Sequence, residues 1–215
     1  MRGLARARSA LLGALAAGIL SAALPAAASA GVLVNTAPSC DNGDVSQPFA
    51  RWGDDSHYFL APGGDFEGSL AGWALSRSGA ASDQEPWEVA GDGSHALVVR
   101  PGGSAVTPTM CVGIEHPTMR FFAHRSGGGL LGGASQLVVS ARVETSAGLV
   151  VEVPVGTVTT VTNGNSWNRT PVQVVLVNLL PLLPGKYTPV QFRFTPIGTA
   201  DWVIDDVYVD PRSRA

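Results

Sequence analysis

Short runs in which apolar and polar residues alternate constrain this chain more than any other feature. In Gln136–Glu144, the apolar residues Leu137, Val139, Ala141 and Val143 occupy every second position. Successive side chains of a β-strand point to opposite faces of a sheet, so this spacing predicts a strand with one buried face. Helical periodicity is almost absent after residue 30. The pattern therefore predicts an all-β protein.

Similar runs recur along the chain, separated by glycine, proline, asparagine and serine. The predicted strands are His57–Leu60, Trp73–Arg77, Trp87–Val89, Ala96–Arg100, Ala105–Met110, Met119–His124, Gln136–Glu144, Val150–Val155, Val172–Leu179, Val190–Thr195 and Trp202–Val209. The predicted tight turns, where glycine supplies a positive φ, are Gly63-Gly64, Gly91-Asp92-Gly93, Gly102-Gly103 and Asn163-Gly164. Many short strands with turns between them predict a β-sandwich or a barrel.

The first 30 residues have the pattern of a secretory signal peptide. Arg2, Arg6 and Arg8 precede the apolar stretch Leu11–Leu24, and Ala28-Ser29-Ala30 forms a small-residue cleavage site. Cleavage would leave residues 31–215, which suit one domain, and no later segment is apolar enough to span a membrane. We expect a secreted protein; a retained N-terminal anchor is the alternative.

The charge of the chain argues against nucleic-acid partners. Loss of the three signal arginines changes the formal net charge from −3 to −6. Lys186 is the only lysine, and no basic patch is present to contact phosphates or an acidic membrane surface.

Two cysteines, Cys40 and Cys111, predict one structural disulfide. An even number of cysteines is typical of disulfide-bonded exported proteins, and these two do not form the C-x-x-C pattern of a redox or metal site. The bond would close a loop of about 70 residues, worth roughly 3–4 kcal/mol. It would tie an N-terminal extension, residues 31–60, to the main domain.

No sequence pattern points to catalysis. Serine stands beside histidine in Asp54-Asp55-Ser56-His57 and in Asp92-Gly93-Ser94-His95. Sequence neighbours seldom reach the geometry of a working pair, because the imidazole must approach the hydroxyl in a set orientation. We expect no enzymatic activity.

Two phrases near the ends of the predicted domain carry a family resemblance. The first is Gly64-Asp65-Phe66-Glu67-Gly68, followed by Gly72-Trp73, and the second is Trp202–Val209. They resemble the opening and closing strands of secreted jelly-roll modules of the galactose-binding-like superfamily, as in carbohydrate-binding module families 4, 9 and 22. Gly63 stands where these modules often have asparagine. The resemblance covers residues 61–210, leaves 211–215 as a tail, and implies a jelly-roll β-sandwich of two antiparallel sheets.

The whole chain is also similar to a group of exported proteins from GC-rich bacteria. That group shares an early cysteine, a Met-Cys-Val-Gly phrase at Met110–Gly113 and an Arg-Phe-Phe phrase at Arg120–Phe122.

The resemblance implies a site for one structural calcium ion, although no cofactor is required. Calcium prefers carboxylate and carbonyl oxygens. The implied ligands are Glu67 and Asp206, with Asp65 and Asp205 as second choices. The alternative is that adjacent Asp205 and Asp206 face opposite sides of a strand, one solvated and the other accepting hydrogen bonds from loop amides.

Carbohydrate recognition in such folds depends on exposed aromatic rings, which stack on the apolar face of a sugar. We expect Trp73 and Trp202 in the core, and Trp87, Trp167 and Tyr187 as candidate ligand-binding residues. Only 7% of the residues are aromatic, which counts against a dedicated glycan binder.

Two functions remain open, and the chain is expected to be a monomer under either. One is a non-catalytic module that binds extracellular carbohydrate. The other is a structural domain, or one that binds cell-surface protein, on the cell exterior without a glycan ligand.

Overall fold

The computed structural model describes residues 31–37, 40, 43–113, 117–128, 134–159, 165–175 and 187–211. A short helix α1 (Val32–Thr36) and a 3₁₀ helix (Ala50–Trp52) are the helical elements of this part of the chain. The strands are β1 (Phe59–Leu60), β2 (Ala74–Ser82), β3 (His95–Val106), β4 (Met110–Gly113), β5 (Thr118–Ser126), β6 (Gln136–Glu144), β7 (Val150–Thr159), β8 (Asn168–Arg169), β9 (Gln173–Val174), β10 (Tyr187–Ile197) and β11 (Asp201–Asp210).

The strands form one curled antiparallel sheet in the order β7-β6-β10-β3-β11-β5-β8. Strand β1 adds to β11, β2 to β3, β4 to β10 and β9 to β5. Strand β3 joins the two layers, because Leu97–Val99 pairs with β11 while Ala105–Val106 pairs with β10. The structure confirms the predicted jelly-roll sandwich and shows that hydrogen bonding continues from one layer to the other.

A β-bulge replaces the turn that was predicted at Gly102-Gly103. The register between β2 and β3 shifts between Ser76 and Ser78. Gly102 and Arg77, on the two strands, both have positive φ, at 72° and 50°. The two glycines bend β3 without ending it, so the two separately predicted strands are one.

Two other predicted strands differ from the structure. Trp87–Val89 is a loop in which Glu88 has φ 52°, and the amides of Trp87 and Val89 donate to the Glu85 carboxylate instead of to a strand. Of the predicted strand Val172–Leu179, only Gln173–Val174 pairs, and residues 176–179 lie outside the described residues.

The main core fills the space between the two layers. Leu137, Val139, Ala141 and Val143 of β6 are all buried, which confirms the predicted alternation. Trp73 and Trp202 belong to this core, as expected from the sequence.

The segment before β1 is attached at several points. The disulfide between Cys40 and Cys111 is confirmed, with the Cα atoms 5.2 Å apart. Phe49 and Phe59 are buried although they precede residue 61. The predicted domain boundaries remain predictions, and the predicted signal peptide lies outside the described residues. Within the described ranges, no helix is long and apolar enough to cross a membrane.

Candidate functional site

Strand β5 supports a second group of aromatic side chains on the outer face of its layer. Phe121 points into the main core, whereas the next residue, Phe122, points outwards. Because side chains alternate along a strand, Arg120 and His124 share the outer face with Phe122. We call the aromatic residues gathered there the outer aromatic cluster: Phe49, Trp52, Tyr58, Trp87, Phe122, Trp167 and Tyr208.

Phe122 lies at the centre of this cluster and is fully buried by it. The ring centres of Trp52, Trp87 and Phe49 lie 5.6, 5.2 and 5.7 Å from that of Phe122. Trp52 and Trp87 also meet edge to face at 5.6 Å. Aromatic pairs at these separations are attractive, so the rings are held in defined orientations. The tryptophans are half-buried, so each residue remains partly accessible to solvent.

Asp83 links the third tryptophan, Trp167, to His124 through one hydrogen bond to each. Trp167 Nε1 donates to Asp83 Oδ1 at 3.1 Å, and His124 Nε2 lies 3.0 Å from Asp83 Oδ2. The His124 and Trp167 rings meet edge to face, with centres 4.5 Å apart. The result is a half-exposed ring bordered by a carboxylate and an imidazole.

Arginines border the other side of the cluster. The guanidinium carbons of Arg51 and Arg169 lie 5.0 and 5.6 Å from the centre of the Trp52 ring. These are cation–π distances, so the two arginines cover part of the Trp52 surface.

Beneath them, an ion pair ties the loop before β1 to β5. Arg120 donates to Asp54 Oδ2 at 2.7 Å, and the Tyr58 hydroxyl donates to the same oxygen at 2.8 Å. Burial raises the pKa of Asp54, but hydrogen bonds from Arg120, Ser56 and Tyr58 outweigh it and lower the pKa to about 2. Burial and the Asp54 carboxylate raise the pKa of Tyr58 to about 12.

The three predicted ligand-binding residues are not brought together in one place. Trp87 and Trp167 both pack against the outer aromatic cluster. Tyr187 instead begins β10 and pairs with Gly113 of β4, in the other layer. No observation on the described residues assigns a ligand to any of the three, and ligand binding by them remains a prediction.

A second feature, an acidic pocket, lies where the loop after β1 meets β11. The four predicted metal ligands, Asp65, Glu67, Asp205 and Asp206, all line this cavity of about 90 Å³. Asp205 and Asp206 are 2% and 4% exposed. A buried carboxylate is costly unless it is neutralised or paired, so this grouping of carboxyl groups disfavours their ionised forms.

A β-bulge explains why both adjacent aspartates reach the same pocket. The β11–β5 register shifts between Asp205 and Tyr208, and Asp206 has φ 50°. The expectation that Asp205 and Asp206 face opposite sides of a regular strand, with one of them solvated, is therefore wrong. The bulge interrupts the alternation and turns both carboxylates inwards.

Backbone amides donate hydrogen bonds to both aspartates. Asp205 accepts hydrogen bonds from the amides of Glu85 and Asp206, at 3.1 and 2.9 Å, and Asp206 accepts from Ala90 at 2.9 Å. Burial, followed by the charge of Asp206, raises the pKa of Asp205 to about 8. Burial, together with the charge of Glu85, raises the pKa of Asp206 to about 7.

Glu67 is directed towards the start of β3. Its Oε1 accepts from the amides of Ser94 and His95, each at 2.6 Å. The hydrogen bonds from these amides and the His95 ring lower the pKa of Glu67 against the opposing effect of burial, because they favour the ionised form. In the described part of the chain, no three histidine, cysteine or carboxylate side chains are arranged to share a metal ion.

Ser94, His95 and Glu67 do not form a catalytic relay. Ser94 Oγ and Glu67 Oε2 lie 2.9 and 3.2 Å from the same ring nitrogen, His95 Nδ1. A relay needs the hydroxyl and the carboxylate on opposite nitrogens of the imidazole. The two groups compete for one position instead.

Sequence reasoning missed several residues of the outer aromatic cluster and its border. Phe122 and His124 could have been found, because the alternation that buries Phe121 predicts that both face outwards. Trp52 and Asp83 lie in irregular segments, and their positions follow only from the tertiary structure.

The chain shares its fold with solved carbohydrate-binding modules. No family model and no curated protein matches it. One similar structure contains the CBM22-1 and GH10 modules of endo-1,4-β-D-xylanase 10B from Clostridium thermocellum, complexed with xylohexaose: TM-score 0.54, 12% identity, covering 74% of this chain and 29% of that one.

Two further structures are single modules or domains. The C-terminal family 22 carbohydrate-binding module of Clostridium thermocellum Xyn10B has a TM-score of 0.48 and 14% identity, covering 74% of this chain and 96% of that one. The CBM22-1 xylan-binding domain of Paenibacillus barcinonensis Xyn10C has a TM-score of 0.47 and 11% identity, covering 70% and 93%. At a TM-score of 0.54 and 12% identity, the first of these comparisons shows a shared fold alone.

Proposed function

We propose that this protein is an exported, non-catalytic module that binds extracellular carbohydrate at the outer aromatic cluster. One observation carries the proposal: Trp52, Trp87 and Trp167 are half-buried on one outer face around the buried Phe122. Packing fixes the rings before a ligand arrives, so little conformational freedom is lost on binding. A partly exposed indole ring stacks favourably on the apolar face of a sugar.

Polar groups around the rings supply the hydrogen bonds that orient a sugar. Asp83 and His124 lie beside Trp167, and Arg169 lies beside Trp52. Carboxylate, imidazole and guanidinium groups match hydroxyl donors and acceptors. An apolar ring with a few polar neighbours is the usual composition of a small-molecule site.

The fold and the disulfide are consistent with this proposal. Carbohydrate-binding modules share the jelly roll, and one of the similar structures contains xylohexaose. The Cys40–Cys111 bond is typical of proteins in an oxidising compartment, which supports export. The fold itself does not select a ligand.

Titration calorimetry with xylohexaose and a panel of soluble polysaccharides tests the proposal. For any glycan that binds, we expect Trp87→Ala and Trp167→Ala to weaken binding at least tenfold, about 1.4 kcal/mol each. Tyr187→Ala is the matched control, because this half-buried aromatic lies on the other layer. Trp167→Phe keeps a smaller aromatic ring and removes the hydrogen bond to Asp83, so binding that survives in this variant is attributed to stacking rather than to that contact.

Each variant needs a melting curve, because Trp87 packs against Phe122 and Trp167 packs against His124. Loss of binding by a variant that still unfolds cooperatively places the site on the outer aromatic cluster. If no glycan in the panel binds, or if Tyr187→Ala weakens binding while Trp87→Ala and Trp167→Ala do not, the proposal is wrong. The absence of binding to every glycan in the panel would favour a structural or protein-binding role.

We also propose that the acidic pocket holds one structural calcium ion. The donor set fits in its chemistry, since all four predicted ligands line one cavity and calcium prefers such oxygens: Glu67, Asp206, Asp65 and Asp205. The arrangement allows at most two of these carboxylates to share the ion unless the pocket adjusts. Calcium would neutralise two buried carboxylates and would tie β11 to the loop after β1.

Thermal unfolding in calcium and in EDTA tests this second proposal. An ion that binds only the folded protein raises the melting temperature in proportion to the logarithm of its concentration above Kd. We expect calcium to raise the melting temperature of the protein, and to raise that of Asp206→Asn less. Equal melting temperatures in calcium and EDTA would contradict calcium binding and would leave the glycan proposal untouched.

A further inference from the structure

Glu144, at the end of β6, is a buried carboxylate whose hydrogen bonds from the described residues all come from backbone amides. Glu144 is 6% exposed. Oε1 accepts from the amide of Gly31 at 2.8 Å, and Oε2 accepts from Leu33 and Val34 at 2.8 and 3.1 Å. Among the described residues, no lysine, arginine or histidine forms an ion pair with Glu144. The three amide donors solvate the carboxylate, and a full positive charge beside it would add Coulomb attraction.

Position 31 is fitted to this carboxylate. A Cβ atom added at Gly31 would overlap the Glu144 carboxyl group, although the φ of −80° is open to any residue. Glycine leaves room for this contact, whereas a larger residue would require the Glu144 carboxyl group to move. The backbone nitrogen of residue 31 lies at the distance of a strong charge-assisted hydrogen bond.

Cleavage of the chain before Gly31 would create a cation beside Glu144. Ala28-Ser29-Ala30 is the predicted cleavage site of the signal peptide. Hydrolysis of the Ala30–Gly31 bond adds hydroxide to the Ala30 carbonyl carbon, which leaves as a carboxylate, and hydrogen to the Gly31 nitrogen. The new α-amine takes up a proton near neutral pH, where its ordinary pKa of about 8 keeps it charged.

We propose that the Gly31 α-ammonium is the mature N-terminus of this protein and forms a buried ion pair with Glu144. The nitrogen that donates to Oε1 in the folded chain is the atom that carries the charge after cleavage. The folded state of the mature protein is then more stable than that of any form with residues left before Gly31. This inference does not depend on glycan or calcium binding.

The segment that follows Gly31 is fixed independently of the ion pair. Leu33 is 1% exposed, the hydroxyls of Thr36 and Thr109 lie 2.9 Å apart, and Cys40 is bonded to Cys111. Little further freedom is lost when the terminus binds Glu144, because the chain is already held on its other side. An ion pair between restrained partners keeps more of its Coulomb energy than one between mobile side chains.

The first test is the N-terminus of the exported protein. The full-length chain is expressed in a bacterial host, recovered from the exported fraction and measured by intact mass. The expected mass is that of residues 31–215. A mature N-terminus elsewhere overturns the proposal.

The second test is a double-mutant cycle on unfolding. Four proteins are compared: the chain from Gly31, the chain from Ala28, and both with Glu144→Gln. The extension keeps the Gly31 amide but removes the α-ammonium. We expect it to raise the unfolding equilibrium constant at least tenfold when Glu144 is present and less than twofold with Glu144→Gln. An equal effect in both pairs, or no effect beside Glu144, overturns the ion pair.

A labelling experiment decides the matter if Glu144→Gln does not fold. The chain from Gly31 has two amines, the α-amine and Lys186. Under native conditions, we expect an amine-acylating reagent to modify the α-amine at least tenfold more slowly than in urea, because its lone pair is protonated and held by Glu144. Equal rates in the two conditions contradict the proposal.

Discussion

The acidic pocket makes a sharp prediction about Asp206→Asn. Asparagine adopts the left-handed conformation of position 206, where φ is 50°, more readily than most residues. Its side-chain oxygen can accept from the Ala90 amide as Asp206 Oδ2 does at 2.9 Å. Its amide group can donate to Glu85, whose charge helps to raise the pKa of Asp206. The substitution thus removes a charge and keeps the shape and the hydrogen bonds.

The pKa gives the magnitude of the effect. Each tenfold change in acid dissociation corresponds to about 1.4 kcal/mol, so raising the pKa from 3.8 to about 7 costs about 4 kcal/mol at pH 8. Removing the charge regains this free energy, but burying the asparagine amide costs about 1–2 kcal/mol. We therefore expect Asp206→Asn to increase the free energy of unfolding by about 2–3 kcal/mol at pH 8 in EDTA. For a domain of this size, the melting temperature would rise by about 5–10 °C.

The sign of the pH dependence follows from the same pKa. The folded-state pKa of Asp206 is raised above its unfolded value of 3.8, so the folded protein holds a proton that the unfolded chain releases between about pH 4 and pH 7. The stability of the unsubstituted protein should therefore fall as the pH rises through this window. Asp206→Asn removes this group, and its stability should fall less steeply.

Urea unfolding in EDTA at pH 5, 6, 7 and 8 measures both effects. Asp92→Asn is the matched control, because Asp92 lines the same cavity but is exposed; it should leave the pH dependence unchanged. If Asp206→Asn has the same pH slope as the unsubstituted protein, or is less stable than it at pH 8, then Asp206 is not a buried group with a raised pKa.

Three further perturbations have defined outcomes. Replacing both Cys40 and Cys111 by alanine should lower the free energy of unfolding by about 4 kcal/mol, since the disulfide closes a loop with a sequence separation of 71 residues; an unchanged urea midpoint would contradict this. Phe122→Ala should cost about 3–5 kcal/mol, because the ring is fully buried at the centre of the outer aromatic cluster, whereas Ile197→Ala, at a side chain that is 52% exposed, should cost less than about 1 kcal/mol. The pKa of Asp54 is about 2 in the folded protein and 3.8 in the unfolded chain, so ionised Asp54 stabilises the fold above pH 3.8, and this stability is lost as the pH falls towards 2. The stability of Asp54→Asn should therefore depend less on pH in that range. Identical acid unfolding profiles for the two proteins would refute the reasoning.

Much of the fold could be predicted because strand patterning is local. The alternation in β6 identified its bounds and its buried face, and β5 and β11 were placed within two residues at each end. Glycine was a weaker guide. At Gly102 it marks a bulge inside β3 rather than a turn, because a positive φ serves either purpose and only the pairing with β2 decides between them.

The candidate sites could be predicted only in part. The resemblance named four acidic residues, and the structure places all of them around one cavity. The inward direction of both Asp205 and Asp206 could not be foreseen, because a regular strand would separate them and the bulge is set by the partner strand β5. Trp87 and Trp167 were singled out, but nothing local linked them to Trp52 and Phe122.

The sequence by itself determined the fold class, the disulfide pair and the residues with unusual chemistry, because periodicity, cysteine count and motif spacing are properties of the linear chain. The tertiary structure decided which of these residues meet. Phe49 and Trp52, Trp87, Phe122, and Trp167 come from four separate segments, and Glu144 meets Gly31 across a sequence separation of 113 residues. Such contacts depend on strand order and on bulges, which arise from pairing between distant segments.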